Sequence, residues 1–283
     1  MDFYALTREE LLAQRRYRIT VVAEAKALSR RCARLLADLI QEHNRQGRET
    51  SVILPVGPLD YQPFAEICNA ERISLAKLSI YMMDEYLDEA DRPIPQTHPL
   101  SFMRFMRQSL LQRLEPSREF SEDSLFFPTP ERLSGISQRI LDMGGVELCF
   151  GGMGLTGHFA FNDPPEPGAT DDPLGWLREC RARKLSISRE STAQMVMGGS
   201  HGNWAIVPRR ACTLGMKELL ASKHIHLTFT RSWHSGVLRR ALFGPISADC
   251  PGSLVQEHPS VEATLTELAA APPLLDVAQD TGE

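Results

Sequence analysis

The sequence predicts a single α/β domain, spanning 1–283, on a doubly wound, mostly parallel sheet with helices on both faces. Three observations carry that prediction. Short apolar runs alternate along the chain with segments of helical periodicity, the pattern of successive βα units. The run Val146 to Phe150 ends in a loop with four glycines in seven residues, Gly151-Gly152-Met153-Gly154-Leu155-Thr156-Gly157. The run Ser79 to Met83 ends in two acids, Asp84-Glu85. Loops of this kind lie at the C-terminal edge of a parallel sheet, where open α/β folds bind ligands.

Each element follows from its own pattern. Arg18 to Ala23 reads as a strand. Glu24 to about Gly47 is helical, with Leu28, Leu35, Leu36 and Leu39 on one side and a glycine stop. Ser51 to Val56 is a strand, Pro63 to Arg72 a helix and Ser79 to Met83 a strand. Pro99 to Leu114 is an amphipathic helix rich in Met and Phe, expected to pack in the core or at an interface. Pro130 to Met143 is a helix and Val146 to Phe150 a strand. Asp163 to Asp172, rich in Pro, Gly and Asp, reads as an active-site loop. Trp204 to Val207 and Ile225 to Thr230 are expected strands, and His234 to Phe243 a helix. Residues 1–17 form an N-terminal extension, and 271–283 a flexible tail.

Composition narrows the function classes. Hydrophobic content of 42% supports a full core, and the net charge of −5 argues against nucleic acid as a partner, which calls for clustered Lys and Arg. The six cysteines contain no Cys-x-x-Cys pair and several sit in apolar runs, which points to a reducing compartment. No apolar run reaches the ~20 residues that span a bilayer, and the N-terminus lacks a signal pattern. A cytoplasmic protein without membrane contact is expected. His224 and His226 alternate along a strand, but zinc needs three or four ligands and no third lies nearby in sequence, so no metal or other cofactor is expected.

Glycine brings a backbone close to its neighbours because it lacks a Cβ. Here the glycine loop leads into His158, with Asp163 five residues later. Acids at the end of a buried strand are costly unless used or paired. Three ordered blocks carry a resemblance. They are Met83-Asp84-Glu85-Tyr86 with His98-Pro99 beyond it, then Gly157-His158-Phe159-Ala160-Phe161-Asn162-Asp163-Pro164, then Cys250-Pro251-Gly252-Ser253 leading to Gln256-Glu257-His258-Pro259. From about Arg18 to about Ala270, the chain resembles the glucosamine-6-phosphate deaminase/isomerase family, whose relatives are the 6-phosphogluconolactonases.

The resemblance implies a sugar isomerase or deaminase. Asp84 would carry the proton between C1 and C2 of a ring-opened sugar, as a carboxylate at a strand end can. His158 would open the ring, since imidazole titrates near neutrality, with Asp163 as its carboxylate. The family's Gly-x-Asp-Gly-His is Gly154-Leu155-Thr156-Gly157-His158 here, so Thr156 replaces a carboxylate and His158 should depend more on Asp163. Glu85, Gly154, Thr156 and Gly157 are expected to line the substrate.

The implied phosphate site departs further. The family's Gly-hydroxyl loop is Pro55-Val56-Gly57-Pro58-Leu59-Asp60-Tyr61, where Pro58 removes an N–H donor and Asp60 adds negative charge. The family lysine aligns with His234, with Arg231 close by, and the family arginine falls near Gln194 or Met195, with Arg189 the nearest cation. His201 lies in a loop that could line the pocket. The expected partner is a small sugar or sugar phosphate, and the resemblance leaves a homo-oligomer open. Two alternatives stand beside the first reading: the same scaffold with a non-phosphorylated or otherwise altered sugar, or a catalytically weak sugar-binding sensor.

Overall fold

The computed structural model describes residues 2–273. Ten strands are present among them: β1 (Arg18–Val22), β2 (Thr50–Leu54), β3 (Leu78–Met82), β4 (Asp84–Leu87), β5 (Leu125–Phe126), β6 (Leu148–Gly151), β7 (Arg183–Ser186), β8 (Arg210–Thr213), β9 (His224–Phe229) and β10 (Val261–Thr266). Seven of them form one sheet in the order β1-β10-β9-β6-β2-β3-β5, and every pairing in it is parallel. The other three make a small antiparallel sheet, β4-β8-β7.

Side chains alternate across a strand, and here both faces of the large sheet are apolar. Ile53, Tyr81, Cys149, Ile225, Leu227 and Leu265 enter one core with Ile136 and Ile140 of the helix Leu133–Asp142 and Leu238 and Leu242 of the helix His234–Phe243. Val52, Leu54, Ile80, Met82 and Phe150 enter the other. There the helix Ala25–Arg45 buries Leu28, Cys32, Leu36 and Ile40 at four-residue spacing. Truncating any one of these buried leucines to Ala costs about 2–5 kcal/mol.

The N-terminal extension is part of this packing. Leu6, Leu11 and Tyr17 are buried in the first core. Arg239, 0% exposed, donates to the carbonyls of Leu6, Ser235, Ala270 and Ala271. A buried guanidinium needs such partners, and this one ties both ends of the described chain together. The expected tail lies, from 274 onward, outside the described residues.

Two expectations fail. Trp204 to Val207 is a 3-10 turn, Trp204–Ile206, capped by the Asn203 side chain, which accepts from the Ala205 N–H at 3.1 Å. The strand forms just beyond Pro208, as β8. The Met/Phe-rich segment is a helix only over Phe102–Ser109, started by the Ser101 cap at Arg104 N (3.3 Å) and followed by a 3-10 turn at Leu111–Arg113. Its Phe102, Met103 and Phe105 pack against the second core. Strands β4, β5, β7, β8 and β10 were not legible as strands: β7, Arg-Lys-Leu-Ser, is mostly polar and only half-buried, and β5 is two residues long.

Candidate active site

The junction of the two sheets places Asp84. Met83 donates its N–H to Leu54 at 3.0 Å and accepts from Leu214 N at 2.9 Å, so the chain leaves β3 and enters β4 without a loop. Asp84 lies in register with Thr213, and Thr213 with Arg183, so the three form a row across the small sheet. The Asp84 carboxylate accepts from Thr213 Oγ1 and from Phe161 N (3.3 Å). Burial pushes its pKa up to about 6, opposed by these donors and by the charges of His158 and Arg183.

Glu85, one residue on, takes the opposite face of the strand. It is 0% exposed, and its oxygens accept from Tyr86 N (2.9 Å), Phe102 N (3.2 Å) and Met103 N (2.8 Å). Burial raises it to about 7. The expectation that Glu85 lines the substrate is therefore corrected: it anchors the N-terminus of the helix Phe102–Ser109, where orphan N–H groups need an acceptor.

The glycine loop places His158. A Cβ on Gly154 would sit 2.0 Å from the His158 ring, so only glycine admits the imidazole there. Gly157 has φ +79, and its Cβ would meet Cys250 Sγ at 2.4 Å. The Gly157 carbonyl accepts from Gly252 N at 2.7 Å, which gives the third sequence block a role as a buttress beneath the loop. His158 is 7% exposed. Its Nδ1 lies 2.9 Å from Asp163 Oδ1, 3.0 Å from Thr156 Oγ1 and 2.9 Å from Ser191 Oγ. Burial alone would raise Asp163, but the bonds from His158, Thr156 and Ser191 bring it down to about 2.

Three contributors were missed in the sequence. Ser191, on the helix Arg189–Gly198, donates to Asp163 at 2.8 Å. Gln194 of the same helix accepts from Leu155 N at 2.6 Å, so the helix covers the glycine loop. Arg183 donates to Asn162 Oδ1 at 2.7 Å, and Asn162 in turn donates to the carbonyls of Phe159 and Leu214 (2.8 and 2.9 Å), fixing the turn between His158 and Asp163. The Arg183 guanidinium also stacks on Trp176 at 5.3 Å. No short motif announces these partners, because each joins residues far apart in the chain.

The residues expected around an anion are dispersed or occupied. Gly57 (φ +67) and Pro58 lie beside the glycine loop: a Cβ on Gly152 would be 3.2 Å from Pro58 Cδ. Asp60 is exposed, and its Oδ1 accepts from Gln62 N at 3.0 Å, a local turn. His234 is buried, and its Nδ1 accepts from the N–H groups of Thr230 (3.0 Å) and Arg231 (2.9 Å). Burial lowers its pKa to about 3, so it is neutral and does not stand in for a lysine. Arg189 lines a groove with Glu190, Ala193, Trp204 and Arg209 that does not include His158 or Asp84. His201 (φ +49) is exposed in the loop that precedes Trp204. Arg231 packs against the C-terminal end of the helix that carries Ser191: a Cβ on Gly198 would lie 3.6 Å from its Nη2, and it has no ion-pair partner among the described residues. His224 and His226 hydrogen-bond Ser260 Oγ and Thr264 Oγ1.

The relatives agree with this architecture. The chain is 31% identical over 222 residues, 76% of this chain and 79% of the relative, to the glucosamine-6-phosphate deaminase of Rhodopirellula baltica. It is 26% identical over 247 residues (86% and 89%) to that of Pseudarthrobacter chlorophenolicus. Among solved structures, a monomeric glucosamine-6-phosphate deaminase of the NagB superfamily superposes with a TM-score of 0.74 at 21% identity, covering 89% of this chain and 98% of that one. The 6-phosphogluconolactonase of Trypanosoma brucei follows at 0.63 and 15%, covering 90% and 97%. These two likenesses concern the fold. No protein-family model matches the chain. Among the described residues no helix is long and apolar enough to cross a membrane. On the identity and coverage of its relatives, the chain belongs to the glucosamine-6-phosphate deaminase family, as a divergent member.

Proposed function

We propose that this protein opens the ring of an amino sugar or its 6-phosphate and moves a proton between C1 and C2, as an aldose–ketose isomerase or deaminase. The observation that carries this reading is the pairing of a half-buried carboxylate held near neutrality with an imidazole whose Nδ1 is anchored to an ionised acid. With Nδ1 bonded to Asp163, the Nε2 of His158 accepts the proton of the anomeric hydroxyl and returns it to the ring oxygen. Asp84 then takes the C2 proton and delivers it to C1 through an enediol or enolamine. A carboxyl whose pKa lies near 6 can do both at neutral pH, because efficient proton transfer needs a pKa close to the working pH. Where the substrate carries an amine at C2, the resulting imine hydrolyses with water and releases ammonia.

A second reading, a sugar without the phosphate, is favoured by one observation: Asp60 Oδ1, Gln194 Oε1 and His234 Nδ1 each accept from the protein's own backbone. Both readings share one test. Wild type and Asp84→Asn are incubated in D2O with hexoses and hexosamines, with and without a 6-phosphate, and proton NMR follows exchange at C1 and C2. Exchange in wild type that falls about 10³-fold in Asp84→Asn is expected. Exchange that survives the substitution would remove Asp84 as the base.

A further inference from the structure

Ser191 is 0% exposed, and the N–H of its own residue is fixed by the Ser188 cap at 3.0 Å. From there its Oγ reaches both oxygens of Asp163 (2.8 Å each) and Nδ1 of His158 (2.9 Å). Serine, histidine and aspartate are the residue types of a hydrolase triad, but the arrangement is not one. In a triad the hydroxyl sits on Nε2 and the carboxylate on Nδ1. Here both sit on Nδ1, and the hydroxyl is closed off from solvent, so Ser191 is no nucleophile.

Hydrogen-bond inventory decides what it does instead. An ionised carboxylate only accepts. Asp163 Oδ1 faces His158 Nδ1, Thr156 Oγ1 (2.7 Å) and Ser191 Oγ, whereas Ser191 is the only donor to Oδ2 among the described residues. Both hydroxyl protons therefore point at the carboxylate, and Nδ1 must carry a proton of its own to bond there. That fixes the imidazole as the Nδ1–H tautomer, with Nε2 left as the acceptor. Ser191 sits on the helix that also clasps Leu155 through Gln194, so the tautomer is set only when that helix is seated.

We propose that Ser191 is a positioning residue: it orients Asp163, holds His158 as the Nδ1–H tautomer, and makes seating of the helix Arg189–Gly198 a condition for ring opening. The last part rests on the ring-opening role proposed above. Removing the hydroxyl leaves a buried carboxylate oxygen without a donor and lets the carboxylate rotate away from Nδ1. The test uses the full chain with Ser191→Ala and Ser191→Thr. Proton–nitrogen NMR of histidine-labelled protein reads the His158 tautomer without any substrate. Thermal unfolding reports the fold, and two rates are followed on the best hexosamine: anomer interconversion and C2 proton exchange. In Ser191→Ala the Nδ1–H signal is expected to give way to a tautomer mixture. Its kcat should fall about tenfold, with KM within about twofold and anomer interconversion slowed by the same factor. Ser191→Thr should recover most of both. An unchanged Nδ1–H signal in Ser191→Ala would overturn the proposal, even if activity and melting temperature fell together. If wild type turned over no sugar, the functional reading would fail, but the tautomer would still decide the role of Ser191.

Discussion

Around Asp84 and His158 polar side chains face one another, whereas around Asp60, Gln194 and His234 they face the backbone. Both regions occupy the same C-terminal edge of the same sheet. In the first, Thr213, Phe161 N, Thr156 and Ser191 converge on two carboxylates and leave Nε2 of the imidazole without a partner among the described residues. In the second, the Asp60 oxygen closes a turn, the Gln194 oxygen holds the glycine loop, and His234 is a neutral cap for two N–H groups. The difference teaches that, on the function proposed above, the groups that would transfer the proton and those that would grip the far end of a sugar are separable parts of this fold. One set converges side chain on side chain, and the other is engaged with the backbone.

The comparison can be broken at several points, beginning with the largest effect. Gly154→Ala would drive a methyl into the His158 ring, so activity should fall about 10²-fold with far-UV circular dichroism unchanged. Near wild-type activity would show that the ring position is not critical. On the other flank Arg231→Ala should be milder. It should lower kcat/KM for a 6-phosphorylated amino sugar by about tenfold or less and leave the unphosphorylated sugar untouched. A thousandfold loss confined to the phosphate ester would show that this flank is built for phosphate after all.

The smallest effect concerns stability. Glu85 is raised in the fold to about 7, so its contribution is fully present below about pH 4.5 and is lost as pH rises through about 7. Asp84 acts in the same direction with its pKa near 6. Asp163, lowered to about 2, acts in the opposite sense: it stabilises above its unfolded pKa and loses that contribution as pH falls from about 4 toward 2. Glu85→Gln should therefore flatten the decline in melting temperature between pH 5 and 8, a change of roughly 1–3 kcal/mol, and leave the acid side alone. An equal decline in both proteins would mean that Glu85 is not the group that titrates.

Much of this was legible in the residues. The alternation of apolar runs with helical periodicity predicted a parallel sheet covered on both faces, and it forms with helices on each side. Asp84, His158 and Asp163 could be singled out because each ends or follows a local pattern: an apolar run stopped by acids, or a glycine loop stopped by a histidine. Failures came where local pattern and tertiary use part. Trp204 to Val207 is apolar enough for a strand, yet Asn203 caps it into a turn and the strand begins after Pro208. Glu85 carries the same charge as its neighbour, and only the pairing of β4 with β8 shows that the two acids point to opposite faces.

By itself the sequence determined the fold class, the strand-end acid and the glycine loop that admits an imidazole, because backbone geometry and burial are set by residues close in the chain. Tertiary structure decided which acid caps a helix and which meets Thr213, and that a serine 28 residues beyond Asp163 completes its hydrogen bonds. Those outcomes depend on which elements meet across the sheet edge, and hydrogen bonds, which act only within about 3 Å, cannot be read from spacing along the chain.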